Sequence, residues 1–125
     1  MKIEKNRLVV KAQLLGKRFV EEDALIDTGA AFSVIPPEID DFLELEPHEI
    51  PKTKLITASG IIEPEVKILE KIVVGEITME KLPVVIHEIP DPAPIKILLG
   101  MNFIKNVDLR VNGNGKENVF NIEDP

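Results

Sequence analysis

The stretch Ala24-Leu25-Ile26-Asp27-Thr28-Gly29-Ala30 decides how the rest of the chain is read. Three apolar residues of strand character deliver an aspartate into a Thr-Gly loop. A carboxylate at the end of a buried strand starts from an unfavourable environment and has to be stabilised there. Thr28 offers a hydroxyl, and Gly29 a main chain able to take positive φ and to let another chain pass close by. An ordinary turn between two strands satisfies the same tripeptide, because Asp and Gly are common turn formers. Only the surroundings can separate the two readings.

Working outward, residues 7–15 and 18–26 form two β-rich runs on either side of Gly16-Lys17, which suits a hairpin turn. Beyond the loop, residues 32–35 make a short apolar segment closed by Pro36-Pro37, and residues 38–45 suit a short helix started by the prolines. Pro47 and Pro51 read as a break. Runs at 52–58 and 61–74 bracket Ser59-Gly60, a hairpin with long arms that would project as a ribbon, with Pro64 marking an edge. Gly75-Glu76 turns the chain into a strand at 77–86, and three prolines stiffen the loop at 90–94. Residues 95–99, apolar apart from Lys96, end at Gly100, followed by a short helix over 101–106. Alternating residues over 107–111 and 117–122 close the chain as a hairpin, paired either within the chain or with a second copy. The expectation is a mainly β chain, with residues 1–125 forming a single domain.

A faint internal repeat bears on chemistry. With Gly29 placed over Gly100, the strand, loop and apolar segment around Asp27 align with Leu98-Leu99-Gly100 and the residues that follow. Leu98 then stands opposite Asp27, so only the first loop keeps a carboxylate.

Composition narrows the function classes. The chain has 125 residues, enough for one core without metal or disulfide support. Its 22 acidic and 15 basic side chains leave a formal net charge of -7, which argues against nucleic-acid binding. Cysteine is absent, removing thiol catalysis, disulfides and thiolate metal sites together. No apolar run approaches a membrane span and no signal peptide is evident at the N-terminus, so the sequence reads as a cytoplasmic protein with no membrane partner.

The remaining chemistry lies with carboxylates, hydroxyls and two histidines. His48 and His87 do not combine with Ser33 or Ser59 into a triad, since neither serine has a nucleophile-elbow context. His87-Glu88 lacks the spacing of a metal-binding helix, so no metal is expected. Gly113-Asn114-Gly115 has no Lys-Ser/Thr after it and reads as a turn, not a phosphate loop. The acidic stretch at 38–49 reads as a solvated face.

Taken in order, the Asp27-Thr28-Gly29-Ala30 loop, Val34-Ile35-Pro36, the Gly-tipped hairpin Thr57-Ala58-Ser59-Gly60 and Ile97-Leu98-Leu99-Gly100 before a short helix resemble the retropepsins, the dimeric retroviral-type aspartic proteases. The resemblance covers roughly residues 7–111. It implies a closed or partly open β-barrel of the acid protease type with a flap hairpin and one or two short helices, homodimeric, and no cofactor. It implies an aspartic endopeptidase in which Asp27 of each chain contributes to a two-aspartate site that activates water. One ionised carboxylate takes a proton from water while a protonated one polarises the peptide carbonyl; a chain with one such acid needs a second copy. By the same resemblance Thr28 braces the partner's loop, Gly29 and Ala30 support the site, and the flap residues Ile56, Thr57, Ala58, Ser59, Gly60 and Ile61 fold over an extended peptide or unfolded protein. Leu98, Leu99 and Gly100 form the second motif. Leu25, Ala30, Ile56, Ala58, Ile61, Val85 and Ile95 are either pocket linings or core. The alternative is a non-catalytic module of the same fold that dimerises or binds peptide. Where retroviral members usually carry an acidic and a basic residue after the two motif glycines, this chain has Ala31 and Met101, and its flap is poorer in glycine.

Overall fold

A computed structural model describes residues 1–57, 60–89, 95–115 and 118–125. Ala58, Ser59 and the proline-rich loop at 90–94 lie outside them, as does Glu117. The chain runs β1 (Ile3–Glu4), β2 (Arg7–Leu15), β3 (Phe19–Ile26), β4 (Ser33–Ile35), α1 (Pro37–Leu43), β5 (Glu46–Lys52), β6 (Leu55–Thr57), β7 (Gly60–Ile62), β8 (Glu65–Val74), β9 (Ile77–Ile86), β10 (Ile97–Leu99), α2 (Met101–Ile104), β11 (Asp108–Asn112) and β12 (Val119–Glu123).

The main sheet has the order β1-β2-β3-β10-β4-β9-β8-β5, and a further pairing of β2 with β8 closes six of its strands into a barrel. Closure comes from Gln13, Leu14 and Leu15 lying opposite Val73, Ile72 and Lys71. This is the expected mainly β barrel with two short helices. Side chains alternate between its faces, so one set fills the interior. Leu14, Ala24, Ile35, Leu69, Ile72, Val84, Ile97 and Leu99 are buried there, with Phe103 of α2 and Phe120 of β12 in the same cluster.

The topology around the first loop matters most. β10 lies between β3 and β4, parallel to the former and antiparallel to the latter. The two strands joined by the Asp27 loop are therefore separated by a strand about seventy residues later in the sequence.

Two local readings need correction. Pro47 and Pro51 do not break the chain but sit inside β5. β5 is the outer strand of the sheet, and an edge leaves unpaired positions where a missing N–H costs nothing. The acidic stretch at 38–49 is not wholly solvated, because Asp40 is 5% exposed. Its helix α1 also buries Ile39 and Leu43, which places Asp40 against Lys67 of β8. The helix stops earlier than expected because Glu44 adopts a left-handed conformation at its C-cap.

The terminal hairpin pairs within the chain, with Leu109 opposite Ile122. Its outer flank also meets the N-terminus, where the Ile3 N–H donates to the Asn118 carbonyl and Phe120 N–H to that of Met1, at 2.8 and 2.9 Å. Among the described residues no helix is long and apolar enough to cross a membrane.

Candidate active site

Asp27 follows the last residue of β3, and its N–H donates to the Leu99 carbonyl at 3.0 Å. Its carboxylate turns back on its own loop, where Oδ1 accepts the Gly29 N–H at 2.8 Å. The Ala30 N–H donates to the Asp27 carbonyl at 3.3 Å, completing a tight turn. Among the described residues no cation pairs with this carboxylate. Asp27 is half-buried, while Thr28 and Gly29 are exposed.

Gly29 does not use the left-handed backbone expected of it; the positive-φ glycines are Gly60, Gly75 and Gly115. Its value is space, since an added Cβ would stand 3.2 Å from Asp27 Oδ1.

The second motif meets the first directly. Leu99 lies opposite Ile26, which brings Gly100 level with Asp27. A Cβ on Gly100 would fall 2.4 Å from the Phe32 carbonyl oxygen and 2.7 Å from that of Ala30, so only glycine allows the loops to touch. The Met101 and Asn102 N–H groups then donate to the Ala30 and Ala31 carbonyls at 2.7 and 3.1 Å. Ala31 and Met101 are themselves exposed.

Two residues of this junction escaped sequence reasoning. Ser33 and Asn102 are 69 positions apart, yet Asn102 Oδ1 accepts both the Ser33 N–H at 2.9 Å and the Ser33 hydroxyl at 2.8 Å. The hydroxyl in turn accepts the Gly100 N–H at 3.1 Å, and Asn102 Nδ2 donates to the Pro83 carbonyl at 2.7 Å. The only sequence signal was the internal repeat, which sets the two loops side by side without pairing these side chains.

Leu25, Leu98 and Val34 are opposite one another on β3, β10 and β4, and Val9 of β2 lies opposite Leu25. All four are half-buried and share the barrel's outer face, forming an apolar stripe that leads to Asp27. Of the other lining candidates Ile95 is half-buried, and Val85 of β9 is fully buried opposite Val34, on the same face as the stripe. β6 and β7 form a two-stranded hairpin of their own, with Thr57 opposite Gly60. Gly60 takes a φ of 121°, which a side chain resists. Ile56 and Ile61 face each other on this hairpin and are 88% and 70% exposed.

The chain's sequence and its six-stranded barrel are matched by known proteins. The family model "Aspartyl protease" matches residues 10–103. The chain belongs to this aspartyl protease family. The fold is that of a retropepsin-like aspartic protease from Rickettsia conorii, with a TM-score of 0.65 at 18% identity over 89% of this chain and 80% of that one. It is also similar to the Simian Foamy Virus (mac) protease, with a TM-score of 0.52 at 23% identity over 78% of this chain and 92% of that one. No curated protein matches the sequence significantly. As a member of this family, the chain carries Asp27-Thr28-Gly29 directly after β3.

Proposed function

We propose that the protein is an aspartic endopeptidase, active as a homodimer in which two Asp27 side chains meet across a two-fold axis. The observation that carries the reading is the state of Asp27: its main chain is tied to the second motif, while its carboxylate is matched by no cation among the described residues. Two such groups a few Å apart hold one proton between them, because like charges at that separation do not both ionise. The ionised member takes a proton from a water molecule as the water oxygen attacks the peptide carbonyl. The protonated member donates to the carbonyl oxygen, and the amine leaves with a proton returned by the pair.

The substrate in this reading is an extended peptide or unfolded protein. The apolar stripe at Leu25, Leu98 and Val34 supports apolar substrate side chains. The exposed Ile56–Ile61 pair supports a flap, and Thr28, exposed in the single chain, is free to brace a partner loop.

Cleavage of an unfolded protein, followed by mass spectrometry of the fragments, tests the proposal. Wild-type chain should cut and should lose specific activity on dilution. Adding excess Asp27→Asn chain should suppress the wild type by forming mixed dimers. Peptide binding with no turnover at any pH would establish the non-catalytic module instead.

A further inference from the structure

We infer that Asn102 is a positioning residue for Asp27, acting through a side-chain bridge that joins β4, α2 and β9. Its catalytic consequence rests on the peptidase reading; its structural consequence does not.

The Asp27 loop makes two bonds to itself, and among the described residues its hydrogen bonds to the rest of the chain come from residues 99–102: the Asp27 N–H to the Leu99 carbonyl, and the Met101 and Asn102 N–H groups to Ala30 and Ala31. The acid is therefore placed only as well as that segment is placed. α2 has four residues and a glycine N-cap with no side chain to satisfy its first turn. Left alone, so short a helix does not define its own position.

Asn102 supplies what the helix lacks. Its Oδ1 holds the start of β4 through the N–H and hydroxyl of Ser33, and its Nδ2 holds β9 through the Pro83 carbonyl. The Ser33 N–H can only donate and the Pro83 carbonyl can only accept, so the amide has one orientation that satisfies both. Ser33 is 1% exposed, and its hydroxyl completes the circuit by accepting the Gly100 N–H. Truncating Asn102 leaves the part-buried Ser33 N–H and Pro83 carbonyl without their partner, which loosens the hold of α2 on β4 and β9. Asn102 also lines a surface groove with Phe32, Pro83 and Asn106, so water can enter once the amide is gone. The residues that shift are those touching Asp27.

Asn102→Ala, Asn102→Asp, Ser33→Ala and Ser33→Thr test this by amide hydrogen exchange and by peptidase kinetics. The Asn102→Ala and Ser33→Ala chains should exchange the amides of Asp27, Ala30 and Met101 at least about tenfold faster, with Leu69 and Ile72 of β8 unchanged. Their kcat should fall by roughly 10- to 100-fold, with KM changed less than about threefold, as expected when a reacting group is displaced by about an ångström. Ser33→Thr keeps the hydroxyl and should stay near wild type. Asn102→Asp keeps the acceptor but not the donor to Pro83, and should fall between. Unchanged exchange in the Asp27 loop, or acceleration shared equally by the β8 amides, overturns the assignment. A wild-type chain with no turnover sinks the peptidase reading alone, because the exchange measurement still decides whether Asn102 holds the loop.

Discussion

Asp27 and Asp40 are two aspartates in opposite situations. Asp40 is buried in the first turn of α1, and its Oδ2 lies 2.8 Å from the Lys67 ammonium, with Oδ1 buried and unpartnered. The hydrogen bond to Asp40 raises the Lys67 pKa above the ordinary lysine value of 10.5, against the opposing effect of burial. Asp27 is half-buried, accepts the Gly29 N–H and has no cation beside it among the described residues. Burial therefore does not mark the acid proposed to do the chemistry. Asp40 is neutralised on the spot and joins α1 to β8, whereas Asp27 keeps an uncompensated carboxylate on a loop held by its main chain. A charge intended for chemistry has to be left for the substrate or a second acid to meet.

The comparison is broken most directly by exchanging the two losses. Asp27→Asn should lower cleavage by about 10³-fold or more while leaving the unfolding free energy from urea melts within about 0.5 kcal/mol of wild type. Equal loss of cleavage and stability would mean that Asp27, too, is structural. Lys67→Met should cost about 3 kcal/mol of stability at neutral pH by stranding the Asp40 charge, with turnover per folded molecule unchanged. Adding Asp40→Asn should recover part of that loss, because an amide needs no cation.

Gly100→Ala should destabilise by about 1–3 kcal/mol, since its Cβ meets two carbonyl oxygens of the Asp27 loop. Gly29→Ala should cost less stability, having only Asp27 Oδ1 at 3.2 Å to displace, and should show its effect in turnover. The smallest effect concerns pH. A raised Lys67 pKa contributes stability that is full below 10.5 and is lost as pH rises through the higher folded value. Urea melts in this alkaline range should show that loss in wild type and not in Lys67→Met.

Much of the frame was legible locally. The hairpin of β2 and β3 about Gly16-Lys17 and the turn between β8 and β9 at Gly75-Glu76 are where turn residues interrupt runs of Val, Ile and Leu. The Asp27 motif was legible because loop chemistry is compact, with acid, hydroxyl and glycine in consecutive positions. Asp40 was not, since an acidic stretch looks solvated until the partner of each carboxylate is known. Pro47 and Pro51 misled for a similar reason: whether a proline breaks a strand depends on whether that strand is an edge.

The sequence by itself determined the strand content, the acid that the chain places on its Gly-containing loop, and the absence of a second acid at Leu98. These follow from residue types within a few positions of one another. Only the tertiary structure decided that β10 threads between β3 and β4, that β2 closes the barrel on β8, and that Asn102 reaches Ser33 across 69 positions. Such contacts are selected by packing and hydrogen-bond satisfaction over the whole barrel, and no local stretch of sequence encodes its partner.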